Sequence, residues 1–147
     1  MAQSRGPGVN CNASTDTTTD MKDSQQPSYV PHGWPRIATR IVAPDAQALV
    51  AFIKHVFDAS GEYHGTRPAE LWIGGSVLMV SDAGERDAFA AFLYVYVEDA
   101  DATYRRAIAA GAVSIESPAL MPYGDRRAMI EDRWGNTWQI ATHRSAR

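Results

Sequence analysis

Tyr123-Gly-Asp-Arg-Arg-Ala-Met-Ile-Glu-Asp-Arg-Trp-Gly-Asn-Thr-Trp-Gln-Ile-Ala-Thr-His143 decides the fold of this chain. It reads as strand, tight turn, strand. Ala128 to Glu131 is a short apolar run, and Asp132-Arg-Trp-Gly-Asn136 places Asp, Gly and Asn where a hairpin needs positive φ or side-chain-to-backbone bonds. Thr137 to Thr142 then resumes a β-branched and aromatic pattern. Alternation sets Trp138 and Ile140 on one face, to pack under a helix, and Gln139 and Ala141 on the other, free to line something else.

Upstream, the same kinds of element recur. Arg36 to Ala43 is expected as a strand, and Pro44-Asp45 starts a helix whose Leu49, Phe52, Ile53, Val56 and Phe57 fall on one face. Ala59-Ser-Gly61 closes it. Three short strands are expected next, around Glu62 to Gly65, Ala69 to Ile73 and Ser76 to Ser81, with Gly74-Gly75 as a turn. Ala90 to Val97 is a further strand, Asp99 to Ala110 a helix stopped by Gly111, and Ala112 to Glu116 a strand. The order strand, helix, three strands thus occurs twice. Laying Ala38 on Phe92 pairs Ile41 with Val95 and Asp45 with Asp99, while Gly74 to Asp82 lies over Gly135 to His143. A duplicated unit of this size implies two modules packed side by side, each giving a curved sheet wall with helices outside and a ligand concavity between the walls.

At 147 residues, with 45% hydrophobic and 21% charged, the chain has the composition of one ordinary globular domain. A net charge of −3 argues against nucleic acid and anionic membrane as partners, and no apolar run reaches membrane-span length. The start lacks a signal-peptide layout, and the single Cys11 suits a reducing cytoplasm. Residues 1–28 are so poor in apolar side chains that a disordered tail is expected, ahead of a domain over 29–147; Met21 offers an alternative start.

The chain resembles the vicinal oxygen chelate superfamily (glyoxalase, bleomycin-resistance protein, dioxygenase), and within it the PhnB-like branch. The resemblance runs over about residues 30 to 143. It is carried by Tyr123-Gly-Asp-Arg126, Asp132-Arg-Trp-Gly-Asn-Thr-Trp138 with Ile140-Ala-Thr-His143, Val97-Glu-Asp-Ala-Asp-Ala102 and Ile73-Gly-Gly-Ser-Val-Leu-Met-Val-Ser-Asp82. It implies an α+β fold of two βαβββ modules, about 36–82 and 90–143, forming a curved mixed sheet around a central cleft. It also implies a homodimer. The superfamily's enzymes hold a divalent metal through four side chains, and those positions carry over to Ala38, Leu78, Phe92 and Gln139. Hydrocarbon and one amide do not make such a site, so no cofactor and no metal are expected.

By parity the cleft should present Arg40, Leu78, Phe92, Tyr94, Tyr96 and Gln139, with Tyr123, Arg126 and Arg127 on the approach to the closing strands. An aromatic wall with one or two cations suits a flat or partly anionic organic ligand. Against this stands a plainer reading in which the tyrosines fill a core, Asp125 caps its turn and Arg126 pairs with a neighbouring carboxylate. The expected function is metal-free binding of a small organic molecule. The alternative is a lyase, isomerase or dioxygenase, using either an unorthodox metal set from His64, Glu70, Glu131 and His143 or acid–base work by Tyr94, Glu131 or His143.

Overall fold

A computed structural model describes residues 26–144, so Cys11, Met21 and most of the expected tail lie outside the described residues. The chain divides between Trp34 and Pro35 into two units. In the first, Gln26 closes a small loop on itself: its Nε2 donates to Pro31 O at 2.6 Å and its Oε1 accepts from Gly33 N at 3.2 Å.

The second unit runs β1 (Thr39–Ala43), α1 (Ala46–Phe57), β2 (Ala69–Ile73), β3 (Ser76–Asp82), β4 (Phe92–Tyr96), α2 (Ala100–Ala109), β5 (Val113–Leu120), β6 (Asp125–Glu131) and β7 (Thr137–His143). It is α+β, with two mixed sheets ordered β1-β3-β2 and β4-β7-β6-β5, and neither closes into a barrel. In each sheet the first strand lies parallel to the last and the hairpin strands are antiparallel, which is the expected duplication. Both helices begin on an aspartate, Asp45 and Asp99, whose side chain accepts from the N–H three residues on.

One strand of the expected plan is missing. Glu62 to Gly65 forms no strand, and Ser60 makes a single bridge to Trp72. The cause is Gly61, which has φ 129° and sits so close to β2 that a Cβ there would overlap the Glu70 carbonyl. The chain turns away, and side chains hold it: Lys54 pairs with Glu62 at 2.7 Å and Tyr63 donates to Asp82. The second module keeps its counterpart strand as β5, whose register to β6 is broken by bulges.

The core is shared. Leu49, Ile53 and Val56 of α1 join Ile41, Leu71 and Val80 of the first sheet and Ile130, Trp138 and Ile140 of the second in one buried cluster. Phe57 meets the Trp138 ring at 4.7 Å, and Phe52 meets Trp134 at 6.0 Å. The two modules therefore join through their helix-bearing faces, and the helices are not confined to the outside. Trp138 and Ile140 are fully buried, as their alternation implies.

The β6–β7 turn is tied by one buried carboxylate. Asp132 accepts from Trp134 N, Asn136 N, Asn136 Nδ2 and Trp138 Nε1, each at 2.9 Å. Asn136 Oδ1 in turn accepts from Ala91 N at 2.9 Å, fixing the entry to β4. Asp132→Ala strands these buried donors and is expected to cost about 3 kcal/mol of stability. Arg133→Ala in the same turn removes an exposed cation over the Trp134 ring and is expected to cost less than about 1 kcal/mol. Urea unfolding reads both; equal midpoints for the two variants would contradict the role given to Asp132.

Candidate functional site

β4 is short and strictly alternating. Leu93 and Val95 pack toward the core, which leaves Phe92, Tyr94 and Tyr96 on the opposite face at 66%, 38% and 60% exposure. Parallel pairing puts Tyr94 beside Gln139, and the β6–β7 hairpin puts Met129 beside Gln139 and Asp125 beside His143. Gly124, at φ 101°, makes the turn that brings Tyr123 back over this face.

These pairings gather a cluster around Asp125, a residue only 2% exposed. Its carboxylate accepts from Tyr94 Oη at 2.6 Å and Tyr96 Oη at 3.0 Å, and lies 2.8 Å from His143 Nδ1. The Tyr123 hydroxyl is 3.3 Å from that of Tyr94 and accepts from Arg127 Nη1 at 3.1 Å, while Arg127 Nη2 pairs with Glu116 at 2.8 Å. The Tyr94 bond, then the His143 bond, hold the Asp125 carboxyl below the usual carboxylate range. Burial and the Asp125 bond push the Tyr94 phenol far above the usual range, and the Asp125 bond raises that of Tyr96. At neutral pH the carboxylate is therefore ionised and both phenols keep their protons.

A cleft of about 340 Å³ adjoins the cluster at the free edge of β4. Leu78, Tyr94 and Tyr96 all line it, together with Ile73 and Val77 from the first module. A groove of about 260 Å³ elsewhere runs past Ala48, Ala51, His55 and Trp134.

Five of the expected ligand-binding positions, Phe92, Tyr94, Tyr96, Tyr123 and Gln139, thus meet on the outer face of the second sheet or its rim. Other placements differ. Arg126 lies on the helix side, bonded twice to Asp101 of α2 at 2.6 and 2.9 Å. That pairing follows from its position next to the outward-facing Asp125 and Arg127. Arg40 is on the first sheet, bonded to Ser81 at 2.8 Å. Glu131 stands beside Thr137, at the opposite end of β7 from His143, so it works with neither His143 nor Tyr94. His64 contacts Arg67, and Glu70 is on β2, so the structure does not bring His64, Glu70, Glu131 and His143 together.

Strand register also corrects the match between modules. Arg40 pairs with Met79 as Tyr94 pairs with Gln139, and Thr39 pairs with Leu78 as Leu93 pairs with Trp138. Leu78 is therefore the counterpart of Trp138 and faces the core, and Met79 is the counterpart of Gln139. Glu70 likewise matches Met129, not Glu131. The fit to a metal does not improve. A thioether at Met79 is a soft ligand, Phe92 has no donor, and an amide at Gln139 cannot replace carboxylate or imidazole. Among the described residues no group of three or more His, Cys, Asp or Glu is placed to hold an ion. The residues present do not fit the divalent centre of the superfamily's enzymes.

Asp125 is the member that sequence reasoning assigned to turn capping. The available signal was the hairpin register, which sets it directly opposite His143 and on the same face as Tyr94. Its depressed pKa means that its stabilising effect is present above the ordinary aspartate value, about 3.9, and is lost as pH falls through the folded value. Asp125→Asn is expected to lower stability by a constant margin from pH 7 to about pH 5, with the margin narrowing below about pH 4. Denaturant midpoints across that range test this, and a margin that widens in acid would contradict it.

The comparisons with known proteins agree with this architecture. The family model described as Glyoxalase/Bleomycin resistance protein/Dioxygenase superfamily matches residues 27–140. No curated protein matches the chain. Among solved structures, TioX from Micromonospora sp. ML1 is 24% identical with a TM-score of 0.65, covering 75% of this chain and 99% of its own. A glyoxalase/bleomycin resistance protein/dioxygenase family enzyme from Burkholderia phytofirmans PsJN is 22% identical, with a TM-score of 0.62, over 71% and 95%. A protein so described from Nocardioides is 17% identical, TM-score 0.56, over 86% and 92%. At these identities the likeness is one of fold, and with the family match it places this chain in the Glyoxalase/Bleomycin resistance protein/Dioxygenase superfamily.

Proposed function

We propose that this chain is a small-molecule-binding protein of the glyoxalase/bleomycin-resistance type, in the PhnB-like branch, and that it takes an organic ligand without a metal. The observation that carries this is the cluster on the outer face of the second sheet: a nearly buried Asp125 held by Tyr94, Tyr96 and His143. It sits beside a cleft of about 340 Å³ that shares both tyrosines. Rings fixed by a buried carboxylate form a rigid stacking surface, so little ordering entropy is lost when a ligand binds. Phe92, about two-thirds exposed on the same face of β4, gives a second copy of the chain an apolar area to cover, so the proposed working form is a cytoplasmic homodimer that walls in the ligand.

A second reading draws on His143. Its Nδ1 is held by Asp125 while its side chain is 61% exposed, the arrangement of an oriented general base. That would make the protein a metal-free acid–base enzyme of the lyase or isomerase kind, working on the ligand bound at the same face.

A thermal-shift screen of planar organic molecules tests the proposal. A true ligand at 100 times its Kd adds about 2.7 kcal/mol to stability. Tyr96→Ala is expected to weaken binding about tenfold, the effect of losing one stacking partner, and chelation with EDTA to leave binding unchanged. Loss of binding in EDTA would overturn the metal-free reading. Turnover of the ligand that disappears in His143→Ala would favour the enzyme.

A further inference from the structure

We infer that the ligand of this face is a cationic aromatic molecule that presents N–H donors; this rests on the reading above that the Tyr94–Tyr96 face is a binding site. The hydroxyl protons decide it. An ionised carboxylate has no proton to give, so at Asp125 each phenol must be the donor: Tyr94 at 2.6 Å and Tyr96 at 3.0 Å. A phenol has a single proton, and both of these are committed inward. Tyr94 can then only accept from Tyr123, 3.3 Å away, which commits the Tyr123 proton as well. His143 likewise gives its Nδ1 proton to Asp125; in a neutral imidazole this leaves the lone pair on Nε2.

What the cluster shows to a ligand is therefore phenol oxygens, an imidazole nitrogen and the faces of aromatic rings, backed by a carboxylate paired with His143. The nearby cations do not supply the missing donors. Arg127 donates through Nη1 to Tyr123 and through Nη2 to Glu116, and its Nε, a donor without a partner, is closed off from solvent and so from a ligand. Arg126 is bonded to Asp101 on the helix side, and Arg40 lies on the other sheet. Gln139, half-buried beside Tyr94, offers both a donor and an acceptor and discriminates neither way. The sequence-based expectation of a partly anionic ligand drew on Arg40, Arg126 and Arg127; the first two lie away from this face, and Arg127 is engaged by Tyr123 and Glu116. An anionic ligand would set its oxygens against phenol lone pairs and approach the Asp125 carboxylate, a mismatch that selects against it. A cation gains from the ring faces and from Asp125 together.

Fluorescence titration of the full chain at pH 8 with proflavine, a planar cation with amino donors, and with anthracene-9-carboxylate, a planar anion of similar area, tests this. Proflavine is expected to bind at least tenfold more tightly. Asp125→Asn should cut proflavine affinity about tenfold and leave the carboxylate no weaker. Should that variant not fold, Tyr96→Phe removes one acceptor while keeping the ring, and proflavine affinity should fall several-fold. Equal or tighter binding of the anion, or proflavine affinity unchanged in the folded variants, would overturn the inference and leave the binding reading standing. Failure of both probes to bind would overturn the binding reading itself, and the inference with it.

Discussion

Asp132 is the residue on which the placement of everything else depends. Three donors from one turn and the Trp138 indole of β7 converge on one nearly buried carboxylate, and its partner Asn136 reaches across to the chain entering β4. A hairpin slipped by one residue would send Trp138 outward and Gln139 into the core, because side chains alternate strictly. The Asp132 bond to Trp138 Nε1 excludes that slip, since the indole reaches the carboxylate only in the observed register. With Trp138 set against Phe57, α1 is anchored to the second sheet and the modules share one core.

The same register creates the site. Two aspartates flank β6, and both are nearly buried acceptors, yet their donors differ in kind. Asp132 collects backbone amides, an amide side chain and an indole, all of them structural. Asp125, at the other end of the strand, collects two phenols and an imidazole whose remaining surfaces face outward. The first carboxylate specifies the fold. The second arranges exposed rings that would otherwise be free to rotate. A stability role alone does not account for aromatic side chains held rigid on an open sheet face.

Much of this was legible in the sequence. The two helices, the Asp caps, the doubled order of elements and the inward side of Trp138 and Ile140 all follow from local patterns of spacing. The aromatic alternation of Phe92, Tyr94 and Tyr96 gave the site its main residues. What eluded the sequence depends on contacts between distant segments. The two modules carry turns of different length, Gly74-Gly75 against Asp132 to Asn136, so matching their glycines shifted Leu78 onto the wrong face. The loss of the strand near Glu62 hangs on how closely Gly61 approaches β2. Arg126 and Asp125 are adjacent, and which of them faces the tyrosines is settled by the hairpin register, not by residue type.

The proposed ligand site is the outer face of the second sheet around Asp125. Heteronuclear NMR during titration with a bound planar molecule tests it most directly. The account predicts that the resonances of Tyr94, Tyr96, Gln139 and His143 move together and saturate, while those of Ala48, Ala51 and His55 along the groove beside α1 stay in place. Movement confined to that groove, with Tyr94 and His143 unaffected, would contradict it.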